Sequence, residues 1–191
     1  MSSHNRLLET CLKVQLILNK FGWSFCFIGG IAVQRWGDPR FTADVDLTLL
    51  TRFENDKDYI QKLLSCFESR KQNALEFALT YRVLLLKDSN GVAIDISLGG
   101  LPFEERTIER SSTFSFAEGY DIVTCSAEDL IIHKGFANRD KDWGDIKSIF
   151  QKNRGRLNLD TVRCELTLLA DLKEDDTILP KLEKLISETY L

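Results

Sequence analysis

Residues 25–50, FCFIGGIAVQRWGDPRFTADVDLTLL, decide how the chain is to be read. The apolar run Ser24–Ile28 predicts a strand, and Gly29-Gly30 opens a short helix over Ile31–Trp36. The turn residues Gly37, Asp38 and Pro39 then lead into a second strand, Phe41–Leu50, whose residues alternate with a period of two. On that strand Thr42, Asp44, Asp46 and Thr48 share one face, while Ala43, Val45, Leu47 and Leu49 share the other. Asp44 and Asp46 are therefore stacked about 7 Å apart along one edge-facing row.

Working outward, Leu7, Leu8, Cys11, Leu12, Leu16 and Phe21 recur at helical spacing ahead of Gly22, which predicts a helix over Leu7–Phe21 closed by that glycine. A further helix is expected over Asp58–Phe67. Arg82–Lys87 and Val92–Leu98 flank Asp88-Ser89-Asn90-Gly91 and predict a β-hairpin with an Asn-Gly turn, both turn positions at positive φ. In its second strand Val92, Ile94, Ile96 and Leu98 form the apolar face and Asp95 lies opposite with Ala93 and Ser97. If this strand neighbours Phe41–Leu50, Asp44, Asp46 and Asp95 converge. Residues 101–123 are expected to hold a short helix at Glu104–Arg110 and strands near Thr113–Phe116 and Asp121–Thr124. Ser126 followed by Asp129 is a capping-box arrangement, so a helix should start there. Helices are predicted over 126–137, 140–152, 159–172 and 179–189. The expected organisation is an α/β core with a mixed sheet over 1–125, followed by a C-terminal helical region over 126–191.

A chain of 191 residues with 43% hydrophobic and 28% charged residues is an ordinary globular protein, not a disordered or low-complexity one. The sequence has no apolar run near the roughly 18 residues that a spanning helix needs, and the start MSSHNRLLETCLKVQ lacks a secretory layout; a cytoplasmic protein without a membrane partner is expected. The five cysteines include no C-x-x-C pair and read as free thiols, mostly buried. His4 and His133 have no ligand partner at zinc spacing, so any metal must be held by carboxylates. Twenty-five basic against 29 acidic residues leave a net charge of −4, which argues against nucleic-acid binding by bulk electrostatics. The stretch from His133 to Arg156 is nonetheless locally basic, with seven Lys or Arg against three Asp, whereas Glu165–Glu188 is locally acidic.

Three carboxylates on one open face of a sheet repel unless a cation sits between them, and oxygen-only ligands suit Mg²⁺ or Mn²⁺, so Asp44, Asp46 and Asp95 are the candidate metal ligands. Such ions assist phosphoryl or nucleotidyl transfer by neutralising the departing pyrophosphate. Gly29 and Gly30, at a helix start, allow backbone N–H groups to approach a triphosphate. Lys134 lies beside apolar Leu130 and Ile131, so its ammonium must reach water or a partner. Arg40 and Arg139 are candidates for bidentate phosphate contacts. Trp36 and Trp143 are candidates for core packing or base stacking.

The glycine pair, D-x-D on a strand and a single later strand Asp resemble the nucleotidyltransferase superfamily with the polymerase-β-like fold. FIGGIAVQRWG followed by RFTADVDL is most similar to the AbiEii type of abortive-infection toxin nucleotidyltransferases, and CSAEDLIIHKGFANRDKDWGDI resembles the later motifs of that family. The motifs cover roughly residues 25 to 150. The resemblance implies that Gly29 and Gly30 cradle phosphates, that Asp44 and Asp46 hold the nucleotide's metal, and that Asp95 is the third carboxylate, which draws the proton from the acceptor hydroxyl. It also implies that Lys134 contacts the triphosphate beside Arg139, and that Asp142 is the later acid, with Asp145 competing for that part. Many members carry Gly-Ser where this chain has Gly-Gly. The implied activity moves a nucleoside monophosphate from an NTP to an acceptor hydroxyl, with tRNA or another RNA as acceptor and a cognate antitoxin as partner. The alternatives are transfer to a small molecule of the aminoglycoside or lincosamide kind, and a non-catalytic binding module on the same fold.

Overall fold

The computed structural model describes residues 3–190. Among them run nine helices and seven strands in the order α1 (Ser3–Lys20), β1 (Phe25–Phe27), α2 (Gly29–Trp36), β2 (Asp44–Leu50), α3 (Asp56–Leu64), β3 (Glu68–Ser69), α4 (Ala74–Tyr81), β4 (Val83–Lys87), β5 (Ala93–Gly99), α5 (Pro102–Glu109), β6 (Ser112–Ser115), β7 (Asp121–Thr124), α6 (Ala127–Ala137), α7 (Asp140–Lys152), α8 (Leu159–Lys173) and α9 (Ile178–Tyr190). The chain divides into two compact units, one of Met1–Ile31 with Phe41–Cys125 and the other of Ala32–Arg40 with Ser126–Leu191. The excursion of Ala32–Arg40 into the second unit has no counterpart in a simple division at residue 125.

The first unit is built on a mixed sheet of strand order β3-β4-β5-β2-β1-β7-β6. β2 pairs in parallel with β5 and β1 with β7, and the remaining pairings are antiparallel. Alternation along β2 and β5 sends Val45, Leu47, Leu49, Ile94, Ile96 and Leu98 inward, where they pack with Leu7, Leu8, Cys11, Val14 and Leu18 of α1. Each fully buried aliphatic side chain of this set contributes about 1.5–3 kcal/mol relative to exposure, and it is this one-sided burial that fixes the strand register. A slip of one residue would bury the acids of β2 instead.

Two local expectations are corrected. The hairpin between β4 and β5 has positive φ at Gly91 alone (+89°), not at Asn90 as well. Gly91 N donates to Asp88 O at 2.9 Å and Asp88 N to Val92 O at 2.9 Å, so the turn is a longer one closed by a glycine rather than a two-residue Asn-Gly turn. The ladder of β2 begins at Asp44, not Phe41: Phe41 is 74% exposed and Thr42 hydrogen-bonds forward to Asp44 instead of joining a neighbour.

In the second unit, Ser126 caps α6 by accepting from Asp129 N at 3.0 Å, as its sequence predicts. α6 packs closely on α8 at Gly135, where an added Cβ would stand 2.8 Å from Leu166 Cδ2. The 32–40 segment is tied to α7 and its C-cap by Lys152 Nζ donating to Gly37 O at 2.6 Å and Asn153 Nδ2 to Trp36 O at 2.8 Å. Asp38 N donates to Ser148 Oγ at 3.1 Å. No described helix is long and apolar enough to cross a membrane. Of the five thiols, Cys11, Cys26 and Cys125 are buried, Cys66 is half-buried and Cys164 is exposed, all unbridged.

Candidate active site

β2 is the spine of the site in the first unit. Asp44 and Asp46 are half-buried on its open face, and the parallel register sets Asp46 beside Asp95 of β5 and Asp44 beside Ala93. All three acids therefore lie on one side of the sheet. The helix start of α2 closes against the same strand. Gly29 has φ +58°, and a Cβ added there would stand 2.0 Å from Asp46 Oδ2. A Cβ on Gly30 would stand 2.2 Å from Thr42 Oγ1. The glycine pair thus makes room for the side chains of the acidic strand. Gly29→Ala combines a strained left-handed backbone with displacement of Asp46. It is expected to lower the activity of the site by about 100-fold and stability by about 1–2 kcal/mol, read as kcat/KM and a denaturation midpoint on the same preparation.

Asp95 is not idle in this arrangement. Burial pushes its carboxyl above the usual range, the Arg70 guanidinium opposes that shift, and the charge of Asp44 reinforces it. Arg70 Nη2 donates to Asp95 Oδ1, while Arg70 Nε donates to Leu86 O at 2.8 Å and so fixes the guanidinium over the strand. Among the described residues no three His, Cys, Asp or Glu side chains are gathered as a ready-made ion cage. What the face offers is an oxygen-only donor pair, Asp44 and Asp46, and that chemistry fits a hard divalent cation. Beside the entry to β2 opens a cavity of ≈ 230 Å³ lined by Arg6, Leu7, Phe41, Thr42, Asn90 and Val92, among others.

In the second unit, Lys134 of α6 is 6% exposed, and its ammonium is engaged by two acids of α7, Asp145 Oδ2 at 2.6 Å and Asp142 Oδ1 at 3.3 Å. Arg40 forks onto both oxygens of Asp145 at 2.8 and 2.9 Å. Arg139 Nε and Nη2 donate to Asp142 at 2.6 and 3.2 Å. Spacing could not choose between Asp142 and Asp145; both hold Lys134. Burial alone would raise the two carboxyls, but hydrogen bonds from Arg139 to Asp142 and from Arg40 to Asp145, joined by Lys134, outweigh it and hold both below the usual range. His133 is kept neutral, its pKa pushed down to about 4 by burial, with Asp129 opposing and Lys134 adding to the shift. Trp143 is half-buried and donates from Nε1 to Asn138 Oδ1 at 2.9 Å, and Trp36 stacks under the Arg35 guanidinium at 4.1 Å. Two contributors escaped the sequence reading. Arg70 follows a two-residue strand with no pattern to mark it, whereas Thr42 was visible as a member of the acidic face but had no assigned task.

A family profile described as "Nucleotidyl transferase AbiEii toxin, Type IV TA system" matches residues 11–188. The chain belongs to the AbiEii nucleotidyltransferase family. The match takes in α8 and most of α9, well past the region in which the motifs are recognisable. No curated protein sequence matches this AbiEii-family chain. Among solved structures, the solution structure of the antibiotic-resistance factor ANT(2″)-Ia superposes with a TM-score of 0.57 at 12% identity, covering 89% of this chain and 94% of that one. ANT(2″)-Ia in complex with adenylyl-2″-tobramycin gives 0.54 at 12% identity, covering 87% and 98%. An antigenic nucleotidyltransferase-like protein from Paracoccidioides brasiliensis gives 0.50 at 16% identity, covering 97% and 92%. At these identities the likeness establishes the fold, that of the polymerase-β-like nucleotidyltransferases, and the family match makes this AbiEii chain a nucleotidyltransferase of a toxin–antitoxin family.

Proposed function

We propose that this nucleotidyltransferase moves a nucleoside monophosphate from an NTP to a hydroxyl of RNA, with tRNA the leading acceptor, and that a cognate antitoxin restrains it. The observation that carries the reading is the in-register placement of Asp46 and Asp95 beside Asp44, with the backbone of Gly29 closed against Asp46. Asp44 and Asp46 would hold Mg²⁺ or Mn²⁺, which when bound supplies charge neutralisation for the triphosphate. Gly29 and Gly30 let the N-terminus of α2 stand against the acidic strand, its N–H groups being the proposed contacts of the phosphates. Asp95 Oδ takes the proton of the acceptor hydroxyl. The freed oxygen forms its bond to the α-phosphorus as the bond from that phosphorus to the bridging oxygen breaks, and pyrophosphate leaves with the electron pair. The raised pKa of Asp95 suits a proton acceptor better than an ordinary carboxylate would. In the second unit, Asp142 orients the cations Lys134 and Arg139, of which Arg139 is the exposed one. Lys141, Lys147 and Arg156 are exposed there and give an RNA backbone something to meet.

The test is incubation of the purified protein with Mg²⁺ and each labelled NTP in the presence of total tRNA or an aminoglycoside panel. Label on tRNA, lost with EDTA, is the expected result. Label confined to aminoglycosides would replace the acceptor, and no label anywhere would remove the transfer reading.

A further inference from the structure

Thr42 lies outside the β2 ladder, so no strand hydrogen bond fixes it. Its surroundings do so instead. Thr42 Oγ1 donates to Asp44 Oδ1 at 3.0 Å and lies 3.4 Å from Asp44 O. On its other side sits Gly30, where an added Cβ would come within 2.2 Å of Thr42 Oγ1 and 2.7 Å of Thr42 Cβ. Unlike Gly29, Gly30 does not have positive φ, so the backbone at this position does not ask for glycine; the threonine does. A threonine ahead of a strand would otherwise exchange among staggered rotamers. The helix start leaves it a slot of matching size, with its hydroxyl aimed at an acid.

We infer that Thr42 is a positioning residue of the active site: seated in the space vacated at Gly30, its hydroxyl holds one oxygen of Asp44 and so presents the other to the cation that accompanies the nucleotide. This rests on the proposed role of Asp44. A hydrogen bond to a charged group is worth enough that its loss weakens what depends on it by about tenfold. Residues 30 and 42 then form one unit in which a hydroxyl can be supplied from either side, provided the other side is bare.

The experiment titrates Mn²⁺ by electron paramagnetic resonance in the presence of a non-hydrolysable analogue of each of the four NTPs, with a thermal melt of every variant. Asp44→Asn should bind at least about tenfold more weakly than the wild type. Thr42→Val, equal in shape but without the hydroxyl, should bind about five- to tenfold more weakly with an unchanged melt, and Thr42→Ser should restore binding to within about twofold. Should Thr42→Val not fold, Thr42→Ala answers the same question. Gly30→Ser alone should melt lower and bind poorly, and Gly30→Ser with Thr42→Gly should recover binding. The inference is overturned if Thr42→Val binds like the wild type while Asp44→Asn does not, or if Thr42→Ser is as weak as Thr42→Val. If Asp44→Asn matches the wild type, or the wild type binds no Mn²⁺–nucleotide at all, the role of Asp44 itself fails.

Discussion

Replacing Asp44 and Asp46 together by Asn should lower nucleotide transfer by at least about 10³-fold, because each factor of ten corresponds to roughly 1.4 kcal/mol and a cation-binding pair supplies several. The fold should survive the change and even gain from it. The carboxyl of Asp95 is raised by burial and by Asp44, against the pull of Arg70. A raised acid makes its stabilising contribution below the unfolded value near 3.9 and loses it as pH climbs through the folded value. At neutral pH the ionised Asp95 therefore subtracts from stability, and removing the charge of Asp44 relieves it. Melting at pH 7 should stay level or rise while transfer disappears. Retained transfer would strip both acids of their proposed part, and a collapse of the melt would make them structural.

Lys134→Met should lower stability by about 3 kcal/mol, the low end for breaking a buried ion pair, because Arg40 still holds Asp145 and Arg139 still holds Asp142. The companion result is in acid. Asp142 and Asp145 have depressed carboxyls, so their contribution is present above the unfolded value near 3.9 and drains away as pH falls through the folded values. Wild-type stability should consequently drop steeply below about pH 4. With Lys134 gone the two acids are less depressed and that slope should flatten. Urea midpoints at pH 7 and pH 3 read both effects. A methionine variant as stable as the wild type, with the same acid slope, would show that the ammonium contributes nothing to the network. If Lys134 also meets phosphate, the KM for NTP should rise in preparations that remain fully folded at the assay temperature.

The parts of this molecule that were legible in the amino-acid order are those whose cause is local. Period-two alternation placed Asp44 and Asp46 opposite Val45 and Leu47, and Ser126 marked the start of α6 by its own side chain. α4 was missed because apolar residues surround it: Ala74 and Ala78 are covered, while the apolar Leu79 and Tyr81 are exposed, so no polar face sets off a buried one. The turn of the β4–β5 hairpin was read as a two-residue one, because Asn90-Gly91 tolerates positive φ; the backbone uses that tolerance at the glycine alone. The ion network was hidden for a different reason. Arg40 and Asp145 are 105 positions apart and Arg70 and Asp95 are 25 apart, distances over which no spacing rule carries information. Lys134 was noticed as a cation needing a partner, yet the partners became visible only when α6 and α7 were packed. Thr42 shows the intermediate case: its face was predictable, but its task depends on the glycine twelve positions earlier that leaves it room.

The detour of Ala32–Arg40 has a bearing on how the polypeptide matures. That short piece is made early, yet Trp36, Gly37, Asp38 and Arg40 find their hydrogen-bonding and ionic companions on α7 and its C-cap, which leave the ribosome only after the whole of Phe41–Cys125 has been synthesised. The nascent chain must hold this segment without its partners until α7 has been synthesised. A nick at residue 125 would likewise cut the helical portion off, along the chain, from the 32–40 strap that completes it.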